Sequence, residues 1–336
     1  MPLSDRLAQL PLTVDGYSTE RLEQSVSSGF TRVTTTVVVR GDGHQGRGED
    51  VTYTADDHDG FPHSLPLAGS DSMAELSQRL EGRDLFARPP GQEAARDYRR
   101  WAFESAALDL ALRQSGSSLA DALGRQPRPV RFVASTRSTI DGWLAADPTL
   151  EFKLDPDGSW DDELMRRLAA TGRVRVLDLK AYYQGTVVDM EPDPVFYRAI
   201  AERFPDAVIE DAWLDEACLD ALSDARGRLS FDAPVHSLAD LDGLPIVPSW
   251  LNVKPSRFGT VERLLECIEA CEARGITMYG GGQFELGIGR SQIQALASIF
   301  YPDAANDVAP REYNLGEARP GLPRSPLPAA TGVGFG

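Results

Sequence analysis

VRVLDLK, residues Val174–Lys180, is a short run of apolar and β-branched residues that ends on charged ones, and it is one of a series. LEFKL (150–154) and VRFVAS (130–135) precede it; AVIED (207–211), RLSFD (228–232), WLNVK (250–254) and GITMYGG (275–281) follow, with helix-like stretches between several neighbours. Strand–helix alternation at a period of about 25 residues predicts βα units and a parallel sheet, and seven or eight such units are the number that closes a barrel. The stretch after LEFKL agrees: 160–171 is amphipathic, and Gly172 stands where a helix C-cap is expected.

In a closed βα barrel the working residues sit at the C-terminal ends of the strands. Lys153, Asp178, Lys180, Glu210, Asp232 and Lys254 end successive apolar runs, and Glu285 follows the Gly280–Gly282 triplet. Asp178, Glu210 and Asp232 lie on three neighbouring strands, so their carboxylates converge and repel one another unless a cation binds between them. Ligation by oxygen alone, with room left for water and substrate, suits Mg²⁺. The plainer alternative is that each acid caps a helix or pairs with a surface lysine.

Lys153 precedes the acids by one strand and Lys254 follows them by one, which places an amine on either side of the predicted site. A desolvated lysine near a dication can act as a base near neutral pH. One amine removes a proton from one face of a substrate carbon and the other returns it on the opposite face. A hydrogen next to a carboxylate is weakly acidic, and a cation on that carboxylate stabilises the enolate that forms. Lys180, Asn252, Glu285 and Ser135 are candidates to touch substrate or to support the ligands, although a capping role suits Ser135 better, and Arg290 can pair a substrate carboxylate or simply Glu285.

Ahead of the barrel, Thr31–Arg40 is rich in β-branched residues, and GDGHQGRG (41–48) turns the chain into EDVTYT (49–54), the pattern of a hairpin. Gly41, Gly43 and Gly46 match the spacing of a dinucleotide fingerprint, but a strand rather than a helix follows, which excludes that reading. Helical periodicity runs from about Ser72 to Gly124, clearest over Tyr98–Gln114, and Gly116 ends it. The predicted organisation is an α+β capping domain over 1–127, a (β/α) barrel over 128–313, and an irregular Pro/Gly-rich tail over 314–336 that packs on the surface.

The chain has 336 residues, 42% of them hydrophobic, and a formal net charge of −17, which repels phosphate backbones and argues against nucleic-acid binding. No apolar run reaches membrane-spanning length, and MPLSDRLAQL does not read as a secretory signal, so the expected location is cytoplasmic with no membrane partner. Cys218, Cys267 and Cys271 read as buried helix residues rather than metal ligands or a disulfide framework. His44, His58, His63 and His236 fall in loops without ligand spacing and are expected to be solvated.

The residues now resemble the enolase superfamily, in its muconate-lactonizing-enzyme branch, from about Thr31 to Pro302. YRRWAFESAALDLALRQSGSSLADALG (98–124) resembles the end of that family's capping domain, WLNVKPSRFG (250–259) its sixth strand, and YGGGQFELGIGR (279–290) the last strands of o-succinylbenzoate synthases and N-acylamino acid racemases. The resemblance implies a capping domain followed by a modified TIM-type barrel, an isomerase or lyase working through an enolate, Mg²⁺ held by Asp178, Glu210 and Asp232, Lys153 and Lys254 as paired bases, and a specificity-determining region at 13–30. A small carboxylate-bearing substrate and association into a homo-oligomer follow as expectations.

Three departures stand out against the family's pattern. Glu151 replaces the first lysine of Lys-x-Lys on the second strand; Lys180 replaces the asparagine of Asp-x-Asn on the third; Ala233 follows Asp232 where an acid is common. Lys180 can salt-bridge a ligand, replace the companion lysine or take part of the cation's place. The segment 182–194 resembles methylaspartate ammonia-lyase. Two other readings compete: a relic without activity that binds rather than catalyses, and a barrel that binds phosphate through Gly280–Gly282, Gly287 and Gly289.

Overall fold

The computed structural model describes residues 1–26, 29–62, 65–183, 186, 188–315 and 317–336. The expected capping domain begins earlier than the hairpin at Thr31. Helix α1 (Leu3–Ala8) and strands β1 (Pro11–Val14) and β2 (Gly16–Ser25) precede β3 (Thr31–Gly41), β4 (His44–Asp50) and β5 (Gly69–Ser72). β2, β3 and β4 form an antiparallel sheet, and β1 pairs with β5. Much of the region assigned to specificity is therefore strand β2, and residues 27 and 28 lie outside the described residues.

The hairpin is present, but its second strand lies within the glycine-rich stretch read as a turn. Only Asp42 and Gly43, with φ of 49° and 73°, make the turn, and β4 then runs through HQGRGED. The glycines of this strand are a packing requirement. A Cβ on Gly46 would lie 2.2 Å from the Ala106 carbonyl oxygen, and one on Gly48 would lie 2.1 Å from that of Ala102. Both carbonyls belong to α3 (Ala95–Gln114), which follows α2 (Met73–Leu80) and precedes α4 (Leu119–Leu123). α2 opens with a capping box between Ser72 and Glu75, and α3 buries Trp101, Ala102, Phe103, Leu108 and Leu112 against the sheet and its surroundings.

The barrel strands are β6 (Ala134–Thr136), β7 (Phe152–Leu154), β8 (Val174–Asp178), β9 (Val208–Glu210), β10 (Leu229–Phe231), β11 (Trp250–Val253) and β12 (Thr277–Gly280), all parallel and paired in chain order. Helices α5 (Asp141–Ala146), α6 (Asp162–Ala170), α7 (Pro194–Arg203), α8 (Glu216–Ala221), α9 (Leu238–Asp242) and α10 (Val261–Arg274) connect them, and α11 (Ile288–Phe300) follows β12. Two residues close the ring. Phe132 bridges Asn306, and Gly281 bridges Asp307. The Asn306 side chain extends this closure, accepting from the Gly280 amide at 2.7 Å and donating to the Arg131 carbonyl at 2.8 Å.

Cys218, Cys267 and Cys271 are buried and free, as expected. His58 is not solvated: it is buried, its Nδ1 meets the Thr35 hydroxyl and its Nε2 the Thr52 carbonyl, each at 2.9 Å. His63 lies outside the described residues. Near the end of the chain Phe335 is buried against Trp101, and its amide donates to Asp109 at 2.8 Å. No helix among the described residues is long and apolar enough to cross a membrane.

Candidate metal centre

β8, β9 and the residue after β10 deliver Asp178, Glu210 and Asp232 to one point. Each offers a carboxylate oxygen, and these oxygens lie within 4.8 Å of one another, all three residues fully buried. In-register pairing of Asp178 with Glu210 sets two of them side by side. Asp232 is aimed from the adjoining strand end, where Asp211 receives the amides of Asp232 and Ala233 at 2.8 and 3.0 Å. Asp211 itself has φ of 53°, the left-handed region. Burial, then the charges of Asp232 and Asp178, raise its carboxyl to about 7.

The lysines flank the acids. Lys153 Nζ lies 3.0 Å from Asp178 Oδ2, contacts Glu210 Oε1 directly and is 3.9 Å from Asp307. On the other side Lys254 Nζ lies 2.8 Å from Asp232 Oδ2. Burial disfavours both charged amines, but the adjacent carboxylates outweigh it and hold each one protonated well beyond its ordinary range. Lys180 is a third amine in the cluster. Its Nζ contacts Asp178 Oδ2, the same oxygen that faces Lys153, and its backbone amide donates to Asp178 Oδ1 at 3.2 Å.

The other candidates divide. Asn252 Nδ2 donates to both oxygens of Glu210 at 3.2 Å, so Asn252 belongs to the cluster. Glu285 is held elsewhere, by Arg290 at 3.0 Å and by the Gln283 amide at 2.7 Å. Ser135 is exposed beside Lys153 in the register of β6 and β7 and caps no helix; it lines a cleft with Phe284, Arg290 and Asp307. Glu151, which stands in place of the companion lysine, pairs with Arg131 and Arg175, each at 2.6 Å. Of the segment 182–194, residues 184, 185 and 187 are not among those described.

Several members of the cluster carried no signal in the sequence. Tyr279, within β12, donates to Glu210 Oε2 and sits 2.9 Å from Ser230 Oγ. Arg257 and the Tyr183 hydroxyl each lie 3.2 Å from Asp232 Oδ2. Asp155 lies one residue beyond β7, 3.6 Å from Lys180 Nζ. A spacing of three from Lys254 was the available hint for Arg257; buried tyrosines in apolar strands offer none.

Whether a dication suits these residues can be judged from their charges and free lone pairs. Six carboxylates (Asp155, Asp178, Glu210, Asp211, Asp232 and Asp307) face three ammonium groups and one guanidinium, so two negative charges remain when all are ionised. Asp232 Oδ1 is buried and lacks a hydrogen-bond partner, an arrangement that is costly without a further ligand. Burial and the charge of Asp178 push the Glu210 carboxyl well up, so its ionised form stands to gain from an added positive charge. The donor set fits a hard divalent cation. The two ammonium groups on Asp178 Oδ2, those of Lys180 and Lys153, are the feature that does not.

Two family models match the chain: Domain of unknown function (DUF8230) N-terminal domain over residues 5–122, and Domain of unknown function (DUF8230) C-terminal domain over residues 126–315. An N-succinylamino acid racemase of Amycolatopsis sp is 28% identical over 320 residues, 87% of this chain and 83% of that one. Among solved structures, a dipeptide epimerase from Methylococcus capsulatus, complexed with Mg and the dipeptide L-Arg-D-Lys, superposes with a TM-score of 0.74 at 17% identity, covering 96% of this chain and 99% of that one. A member of the enolase superfamily from Listeria innocua gives 0.69 at 16% identity over 96% and 94%. The capping domain and parallel barrel are the enolase-superfamily fold, as the sequence led us to expect.

Proposed function

This chain belongs to the family described as Domain of unknown function (DUF8230), and from that membership, its fold and its buried cluster we propose that it is a metal-dependent racemase or epimerase acting on a small carboxylate-bearing substrate. The observation that carries the reading is the pair of buried amines, Lys153 and Lys254, set one strand beyond either end of the row Asp178, Glu210, Asp232. Inversion of a carbon requires proton removal from one face and return to the other, and two amines so placed can divide that work. Similarity to an N-succinylamino acid racemase and to a dipeptide epimerase supports inversion at the carbon next to an amino acid carboxylate.

In this mechanism Asp178, Glu210 and Asp232 would hold Mg²⁺. A divalent cation, when bound, supplies positive charge opposite the enolate that develops on the substrate. The carboxylates alone hold both amines protonated; with that charge offset by a dication on Asp178, Glu210 and Asp232, one amine can be neutral, so that Lys153 takes the proton from Cα while Lys254 as an ammonium gives one to the opposite face, and for the other enantiomer the roles reverse. Asn252 and Tyr279 orient Glu210 through its two oxygens, while Arg257 and Tyr183 orient Asp232. Asp211 fixes the strand end that carries Asp232 through two backbone amides.

The test has two stages. Mg²⁺ titrated into the protein by calorimetry should give saturable binding that Glu210→Ala abolishes. The loaded protein, incubated in D₂O with N-acylated amino acids and dipeptides, should then exchange the Cα hydrogen, read by proton NMR. Binding that Glu210→Ala leaves intact refutes the site. Saturable binding without exchange in any such compound favours a binding protein on this fold.

A further inference from the structure

Lys180 is poised between two carboxylates. Its ammonium contacts Asp178 Oδ2, and Asp155 Oδ1 lies 3.6 Å from it. That Asp155 oxygen is buried and has no hydrogen-bond partner. The Lys180 backbone cannot follow a cation's needs, because it is held in the left-handed region at φ 54° and its amide is spent on Asp178 Oδ1. Only the side chain is free to move, and its four rotatable bonds give it the reach.

We propose that Asp155 is the place to which the Lys180 ammonium withdraws when a divalent cation takes Asp178, so that the pair Lys180–Asp155 sets the cation affinity of the centre. The inference rests on the cation reading given above. An ammonium left on Asp178 Oδ2 would repel an incoming dication through a poorly screened interior. Withdrawn toward Asp155 Oδ1, now 3.6 Å away, the same ammonium would complete a hydrogen bond there, and the buried oxygen that lacks a partner beforehand would gain one afterwards. The lysine that departs from the family's asparagine is thereby accommodated instead of excluding the metal. Lys153 faces the same Asp178 oxygen and also contacts Glu210; it is unchanged in every protein of the test below, so the comparison isolates Lys180.

A double-mutant cycle on the full chain decides it, with Mg²⁺ and Mn²⁺ titrated by calorimetry into wild type, Lys180→Met, Asp155→Asn and the double variant, each checked for an unchanged circular dichroism spectrum and melting temperature; Lys180→Gln replaces Lys180→Met should that variant not fold. Lys180→Met should bind the cation about tenfold tighter, and Asp155→Asn about tenfold weaker. In the Lys180→Met background Asp155→Asn should have little effect, because no ammonium then needs a place to go. Equal weakening by Asp155→Asn in both backgrounds means that Asp155 acts only as a nearby negative charge, and overturns the proposal. So does an unchanged or weaker affinity in Lys180→Met. Absence of binding in all four proteins overturns the cation reading as well, whereas wild-type binding with a flat cycle overturns this inference alone.

Discussion

Lys153 and Lys254 are the outer members of one buried row: Lys153 lies 3.0 Å from Asp178 at one end, and Lys254 lies 2.8 Å from Asp232 at the other. The amines therefore reach different carboxylates, and neither can substitute for the other.

For that reason single lysine variants should separate the two halves of an inversion. Lys153→Ala and Lys254→Ala should each lower racemisation by about 10²- to 10⁴-fold. Each variant should nevertheless exchange the Cα hydrogen of one enantiomer with solvent, and the two variants should do so for opposite enantiomers. Proton NMR of separate D and L substrates in D₂O provides the measurement. Loss of exchange for both enantiomers in one variant, with no loss in the other, would reduce the mechanism to a single base.

Glu49, on β4, should govern the loop that follows β12. Its carboxylate accepts from the amides of Leu286, Gly287 and Gly289 at 2.7, 3.0 and 2.8 Å, and it is buried. Glu49→Ala leaves those donors without their acceptor and should cost about 3 kcal/mol in urea unfolding. Hydrogen exchange at 285–289 should rise with it. Stability within 0.5 kcal/mol of wild type, a bound of the order expected at sites lacking such a network, would show that water replaces the carboxylate there.

Gly48→Ala should destabilise by about 3 kcal/mol or prevent folding, since the added methyl meets the Ala102 carbonyl, the Ser105 hydroxyl and the Ala106 amide of α3 all within 2.7 Å. Gly16→Ala is the control: nothing lies within 4 Å of its Cβ and it does not occupy the positive-φ region, so its melting temperature should match the wild type.

His58 should make the capping domain sensitive to mild acid. Burial holds its imidazole below the ordinary value of 6.5, against the opposing pull of Asp50. The unfolded chain therefore takes up a proton first as pH falls, and the stability due to neutral His58 is complete above pH 6.5 and lost as pH drops from there towards the depressed folded value. Melting temperatures measured from pH 7.5 to 5 should decline more steeply for wild type than for His58→Gln. Parallel curves would exclude His58 as the source.

The barrel was legible because its strands are short, apolar and terminated by charged residues, and Lys153, Asp178, Glu210, Asp232 and Lys254 stand at those ends. Strand β4 was not, because glycines at 46 and 48 carry no side-chain pattern; what requires them is the proximity of α3, a tertiary fact. Asp307 was hidden for another reason: the closing segment is two residues long, too short for any period to register. The contacts of Lys180 depended on a left-handed backbone that no local pattern of Asp-Leu-Lys announces. Asn252 was visible as a polar residue within β11, yet its bonds to Glu210 reach past β10 to β9.

The loop anchored by Glu49 has consequences for inheritance. By chain position it belongs to the barrel, but its amides are held by a residue of the capping domain. Recombination that exchanges one half of the gene for a relative's would separate acceptor from donors unless the incoming half carried an acid at the same point of its hairpin. The halves are thus expected to descend as a matched pair, and Glu49 together with the glycines at 287 and 289 should vary in concert or not at all.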